Sequence, residues 1–310
     1  MTSETENSKS SSPTRAGLIA VIGRANVGKS TLLNTIVGEK VSIVSPVAQT
    51  TRSMIRAILT EPRGQLAFLD TPGVHKASYE LGRMMNRAAR ASIEGVDAIL
   101  LVMDASVSPH QEDDGWMRRL VQHESPCIIA LNKADRGISH GEEFKKLWQD
   151  ICAEKTSSKT ATWMTVSALT GNNVNELVSL LFGIVPEGPH LFPDDVLTDF
   201  PRKLAIADVV REKYFQLLKE ELPHELAVEI DTIVEKEDHW EARGTIFVNK
   251  HSQKGIVIGN KGRLLKKVRE SSERDLVEMY GRPVSLELWV KEEKNWNRNY
   301  FFLKRLGYAV

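Results

Sequence analysis

Short apolar runs, each closed by a polar or turn-forming residue, recur along the first half of the chain at Gly17 to Ile22, Gln65 to Leu69, Ala98 to Met103, Pro126 to Leu131 and Thr162 to Val166. Runs of this length read as buried strands, and the intervals between them are long enough for helices. Strands alternating with helices predict an α/β unit with a mostly parallel sheet and helices on both faces. The pattern changes between Val185 and Arg202, where VPEGPHLFPDDVLTDFPR holds four prolines and few periodic apolar positions, as a linker does. Beyond it, Ile206, Val210, Tyr214 and Leu217 fall on one helical face, and strand-like runs follow at Leu226 to Val234 and Ala242 to Val248. A second helix carries Leu265, Val268, Leu276 and Met279, and a strand is predicted at Val284 to Val290. This half therefore reads helix, strand, strand, helix, strand, an α+β unit. The predicted division is a tail over 1–15, the α/β unit over 16–185, a linker over 186–201 and the second unit over 202–310.

Length agrees with two units, since 310 residues exceeds the roughly 250 to 300 at which single cores stop growing. Lys plus Arg and Asp plus Glu both number 41, so no global field draws the chain to nucleic acid or membrane, and any basic surface must be local. Two cysteines, Cys127 and Cys152, cannot build a disulfide framework or a four-ligand zinc site, which fits a reducing interior and a cytoplasmic protein. The opening MTSETENSKSSSPTR is polar and Ser/Thr-rich and is expected to be disordered. The longest apolar run, around Ala98 to Met103, is too short to span a bilayer. No heptad run argues for stable assembly, so a monomer is expected.

The chemistry begins with GRANVGKS, Gly23 to Ser30, which follows a predicted strand and precedes the apolar helix TLLNTIV. This is the pattern G-x-x-x-x-G-K-[S/T] in its required context. Gly23 and Gly28 allow the backbone of Arg24, Ala25, Asn26 and Val27 to wrap a phosphate, with the positive helix end facing the anion. Lys29 supplies a mobile charge for the β- and γ-phosphates, and the Ser30 hydroxyl is placed to ligate magnesium. Alone, this loop leaves ATP and GTP both open. At the end of a later strand stands DTPG, where Asp70 can reach magnesium through water, Thr71 and Pro72 shape the turn, and the Gly73 amide can sense a γ-phosphate. NKAD, Asn132 to Asp135 with Lys133 between, follows the next such strand but one; Asp135 can accept two hydrogen bonds from guanine N1 and N2, which adenine cannot offer. SAL, beginning Ser167-Ala168, ends the last strand and would bring a backbone amide to the guanine oxygen.

With these four segments in order, residues Ala16 to Val185 resemble a P-loop GTPase of the translation-factor-related class. The resemblance implies that VSIVSPVAQTTRS is the first switch, in which a threonine completes the magnesium shell when GTP is bound. Thr51 is the first choice, with Thr50 an open competitor. Where Ras-like enzymes carry a water-orienting Gln after the corresponding Gly, this chain has Val74. Relatives with Asn at the position of Asn26 bind a potassium ion beside the phosphates, so slow, potassium-stimulated hydrolysis is expected, with Lys29, Thr51, Gly73 and Asn26 as the groups acting on the reaction. A rival reading, supported by Val74, is an RNA chaperone that binds guanine nucleotide without significant turnover.

In KGIVIGNKGRLLKKV an apolar strand-like or helical turn leads into Gly259-Asn260-Lys261-Gly262, which opens an amphipathic helix. G-x-x-G is common as a bare pattern, but from Lys250 to Arg269 there are seven basic residues and no acidic one, a concentrated positive patch in a charge-balanced chain. The loop and its flanking elements resemble a type II KH domain, whose glycines let a single-stranded backbone approach. A GTPase followed by such a domain, ending in a short helix and LGY, resembles the Era family of ribosome-assembly GTPases along nearly the whole chain. The resemblance implies binding to the 3′ end of small-subunit ribosomal RNA, a role in maturing the pre-30S particle, and peripheral contact with the inner face of the cell membrane. The expected RNA contacts are Gly259, Asn260, Lys261, Gly262, Arg263 and Lys266 on the backbone, with Ile256 and Ile258 lining an apolar base groove.

Overall fold

The computed structural model describes residues 14–42, 52, 55–73, 79–218 and 222–308; residues 1–13 of the expected disordered tail, Thr50, Thr51 and Val74 lie outside them, while Arg15, placed at the end of that tail, is instead the first residue of a strand paired with Gly64. The first unit runs β1 (Arg15–Ile22), α1 (Lys29–Val37), β2 (Ile55–Glu61), β3 (Gly64–Asp70), α2 (Glu80–Ala91), β4 (Ala98–Asp104), α3 (Gln111–Leu120), β5 (Cys127–Asn132), α4 (Gly141–Glu154), β6 (Thr162–Thr165) and α5 (Val174–Ile184). Its six-stranded sheet has the order β2-β3-β1-β4-β5-β6. All neighbours are parallel except β2, which pairs antiparallel with β3.

Alternation along β1 shows why the strands read as continuous apolar runs. Ile19 and Val21 join the core under α1 and α5, with Leu32, Leu33, Leu177 and Leu181. Ala20 and Ile22 point the other way, into the core under α2 to α4, with Ala89, Trp116, Phe144 and Trp148. Both faces are covered, as a parallel sheet requires. Because β3 and β4 flank β1 on opposite sides, the strand order reverses there, and the loops leaving β1, β3, β5 and β6 gather at one edge, where open α/β sheets bind ligands.

The second unit runs α6 (Arg202–Leu217), β7 (Leu226–Glu235), β8 (Trp240–Val248), α7 (His251–Ile258), α8 (Arg263–Tyr280), β9 (Val284–Glu292) and α9 (Tyr300–Arg305). Its three-stranded sheet, β7-β8-β9, is antiparallel between β7 and β8 and parallel between β8 and β9. The stretch before Gly259 is helix α7, so one helix is added to the predicted order. Its start is fixed by Gln253 Oε1, which accepts from the Lys250 amide at 2.9 Å, and Val257 enters the core with Val268 and Leu276 of α8.

The proline-rich stretch is fastened to the first sheet. Buried Gln65 on β3 accepts from the amides of Leu191 and Phe192, both at 2.8 Å, and donates to Phe192 O at 3.0 Å. Ile58 on β2 donates to Leu197 O at 2.9 Å. Strand β2 itself is absent from the sequence reading, because Arg56 and Thr60 interrupt its apolar positions. The two units also meet through a buried cluster in which Leu81, Met84 and Met85 of α2 pack with Phe247, Trp296, Phe302 and Tyr308.

Candidate nucleotide site and nucleic-acid loop

The loop after β1 has room only for glycine at its two fixed points. A Cβ on Gly23, at φ +149°, would lie 2.4 Å from Val102 O, and one on Gly28, at φ +98°, would lie 2.4 Å from Asn132 Nδ2. Between them Val27 is buried in the core, while Asn26 takes a left-handed φ of 63° at an exposed apex. Gly28 caps α1, so the helix opens toward the loop. Lys29 is buried, and its Nζ donates to the carbonyls of Gly23 at 3.1 Å and Arg24 at 3.0 Å. Burial lowers its ammonium to about 8, although the Asp70 carboxylate opposes the shift. Its charge is thus held close against the loop's own carbonyls, the groups nearest to where an anion would sit.

Asp70, at the end of β3, is fully buried. Its Oδ2 accepts from Ser30 Oγ at 2.9 Å and from Ser42 Oγ at 2.7 Å, while Oδ1 has no hydrogen-bond partner among the described residues. Burial raises this carboxyl above the usual carboxylate range, against the pull of Lys29. An orphaned carboxylate oxygen beside two hydroxyls is a hard-oxygen donor set that suits magnesium. Ser30 and Asp70 would hold the ion, which neutralises phosphate charge when bound. Thr71 Oγ1 donates to Val21 O at 2.8 Å, locking the exit of β3 to β1. Pro72 is buried, and a Cβ on Gly73 would sit 2.7 Å from Ala25 Cα and 3.1 Å from Lys29 Nζ. The DTPG turn therefore lies directly on the phosphate loop.

At the base end the structure separates residues that the motif lists together. Asn132 is buried, donates to Val27 O at 2.8 Å and accepts from the Ala168 amide at 2.9 Å, so its amide braces three loops. Exposed Asp135 accepts from Ser167 Oγ at 2.5 Å, which orients its carboxylate. Lys133, at a left-handed φ of 67°, reaches Asp104 Oδ2 at 2.6 Å. Arg24 turns its side chain onto Asp113 at 3.2 Å, with Asp104 at 3.8 Å, so only its backbone faces the loop interior. Asp104, Asp113 and Ser42 escaped the sequence reading. A carboxylate ending β4 beside Asn132 was a usable signal for Asp104; Asp113 and Ser42 had none.

On the second unit, Gly259 takes φ +74°, and a Cβ there would come within 2.6 Å of Leu264 Cβ. Lys261, at φ 50°, and Gly262, at φ +76°, complete a left-handed turn that opens the 18-residue helix α8. Asn260, Lys261, Arg263 and Lys266 are exposed. Helix α7 points Ile256 and Ile258 in different directions, since residues two apart do not share a helix face. Ile256 is 55% exposed, while Ile258 is partly buried beside Gly259.

Fold and site together define a P-loop GTPase that carries a KH module in its C-terminal half. A family model described as "50S ribosome-binding GTPase" matches residues 18–133, and one for the KH domain matches residues 221–297. GTPase Era of Thermoanaerobacter sp. strain X514 is 39% identical over 298 residues, 96% of this chain and 97% of that one. GTPase Era of Geobacter sp. strain M21 is 41% identical over 295 residues, 95% and 98% of the two chains. The chain belongs to the Era family of GTPases. Two crystal structures superpose with a TM-score of 0.87 at 36% identity, covering 96% of this chain and 100% of the other: Era with MgGDPNP and nucleotides 1506–1542 of 16S ribosomal RNA, and a substituted Aquifex aeolicus Era with GDP and AlF4−.

Proposed function

We propose that this protein is a GTP-hydrolysing switch that binds the 3′ end region of small-subunit ribosomal RNA and assists maturation of that subunit. The observation that carries the reading is the pairing, in one chain, of the magnesium-ready phosphate loop with an exposed, basic G-x-x-G turn, in the same order as in Era bound to MgGDPNP and 16S RNA. The division of labour falls at 186–201, with nucleotide on 16–185 and RNA on 202–310. Gly23 to Ser30 hold the phosphates, Ser30, Asp70 and Thr51 the magnesium, and Asp135 the guanine. Gly259, Asn260, Lys261, Gly262, Arg263 and Lys266 follow the RNA backbone, with Ile258 as the apolar edge.

Potassium is proposed beside Asn26, whose exposed, left-handed position at the loop apex supports that role. The protein is proposed to act as a monomer and to touch the inner membrane only peripherally. No helix among the described residues is long and apolar enough to cross a membrane.

Phosphate release, with and without an RNA oligonucleotide of the 3′-end sequence and in potassium or sodium buffer, tests the reading. Expected are GTP turnover that RNA and potassium each raise, and loss of the potassium effect in Asn26→Asp. No release under any condition would leave the non-hydrolysing chaperone as the better description.

A further inference from the structure

The phosphate loop is anchored from two sides, and only one anchor belongs to a sequence motif. Its second half is held by Asn132, which donates to Val27 O at 2.8 Å and lies where a Cβ on Gly28 would reach. Its first half is held by Arg24, whose carbonyl accepts from Lys29 Nζ at 3.0 Å. The Arg24 guanidinium turns away from the loop, to Asp113 on α3 at 3.2 Å and Asp104 at the end of β4 at 3.8 Å. Asp104 Oδ2 also accepts from Lys133 Nζ at 2.6 Å. One carboxylate thus stands between a cation of the phosphate loop and a cation of the base motif.

Capping does not account for where these carboxylates lie. Asp113 Oδ2 accepts from the His110 amide at 2.9 Å, at the start of α3, but a helix cap has no need of burial. Asp113 is 0% exposed, and its Oδ1 has no hydrogen-bond partner among the described residues. A buried charge is costly unless paired, and Arg24 supplies the ion pair. Asp104, also buried, turns its other oxygen to the amide and hydroxyl of Ser106, at 3.1 and 2.6 Å.

The half of the loop that Arg24 holds is the half next to the γ-phosphate sensor. Gly73, whose amide is read as sensing that group, packs on Ala25, since a Cβ on it would sit 2.7 Å from Ala25 Cα. Gly28, where α1 opens toward the phosphates, rests on Asn132 instead.

We propose that Asp113 and Asp104 are positioning residues for the γ-phosphate end of the site. Through Arg24 they fix the Ala25-Asn26 apex against the Gly73 turn, and through Lys133 Asp104 ties that placement to the guanine end. This rests on the nucleotide-site reading above. The two nucleotides of the cycle then differ in what holds them. GDP lacks the group that the apex and Gly73 face and depends on the Asn132 anchor, whereas GTP and its transition state depend on both anchors.

The test uses the full chain with magnesium and reads kcat, KM and the Kd values of GDP and a non-hydrolysable GTP analogue. Asp113→Asn keeps an oxygen for the His110 amide and removes the charge that holds Arg24. It is expected to lower kcat by about ten- to a hundredfold, as a small misplacement of a reacting group does. Analogue affinity should fall by about five- to tenfold, with GDP affinity within about twofold of wild type. Asp104→Asn should lower kcat and weaken GDP as well, because Lys133 loses its partner. Since Arg24 carries the effect, Arg24→Gln combined with Asp113→Asn should lie within about twofold of Asp113→Asn alone. Equal losses of GDP and analogue affinity in Asp113→Asn, or a folded variant with unchanged kcat and an unchanged ratio of the two affinities, would overturn the role. If Asp113→Asn does not fold, Arg24→Lys, which keeps the cation but not the fork that meets two carboxylates, decides by the same ratio. That ratio is read without turnover. Absence of phosphate release from wild type would therefore overturn the hydrolysing switch, and the affinities alone would confirm or overturn the role of Asp113.

Discussion

The nucleotide site and the G-x-x-G loop both rest on glycines and a helix N-terminus, yet they are built in opposite ways. In the first, Lys29, Asp70 and Asn132 are buried: Lys29 is held to carbonyls of its own loop, Asp70 and Asn132 bond to other loops, all at 2.7–3.1 Å, and Asp70 Oδ1 has no hydrogen-bond partner among the described residues. In the second, Asn260, Lys261, Arg263 and Lys266 stand in solvent, and the shape lies in the backbone. A preorganised, desolvated site should respond to single changes with large, all-or-none losses, whereas an exposed basic loop should respond in small, salt-dependent steps.

The largest effect that would sharpen this contrast is at Asp135. Removing its carboxylate in Asp135→Ala deletes two charge-assisted hydrogen bonds to the base, ~3 to 6 kcal/mol in all. Calorimetry should show guanine-nucleotide affinity falling by about two to four orders of magnitude, with no preference left over adenine. Retained preference for guanine would place the selector elsewhere.

Next comes the pH dependence of Lys29. In nucleotide-free protein burial holds its ammonium at about 8, while phosphate contact favours the charged form. Above pH 8 binding must therefore take up a proton, and GDP affinity should drop by up to about tenfold per pH unit toward the ordinary lysine range. The same shift makes this group's effect on folding rise with pH over that window, because the unfolded chain binds the extra proton. Calorimetry in buffers of different ionisation enthalpy reads the uptake; a flat affinity from neutral pH to well above 8 would contradict it.

Smallest is Lys261→Gln, expected to weaken RNA binding only a few-fold and to reduce the salt slope of log Kd by roughly 0.7, as one lost contact to a single strand should. A loss as steep as that at Asp135 would erase the distinction between the two sites.

Much of both sites was legible in the sequence because their chemistry is local. Gly23 to Ser30, Asp70 to Gly73 and Gly259 to Gly262 are contiguous, and residue type at each position follows from a backbone angle or a charge requirement. What was hidden depends on distance along the chain. The motif gives no sign that Asn132 braces Val27 and Ala168, and Arg24 looks like a phosphate ligand until α3 brings Asp113 beneath it. Arg52 was unreadable for the same reason, since its guanidinium lies against the rings of Phe215, Trp296 and Tyr308, from three separate stretches of chain. Strand β2 was lost on different grounds: it lies at the sheet's edge, where alternation is weak, and its antiparallel register with β3, from Ile55 opposite Asp70 to Glu61 opposite Gly64, shows that it extends the sheet.

That rim position gives the proline-rich stretch a second consequence. The outer strand of an open sheet is a template on which foreign strands can grow, and proteins shield it by covering it. Here Leu197 and Thr198 occupy the outward-facing backbone of Ile58 and Ala57. The segment joining the two halves thus also shields part of the sheet's open rim.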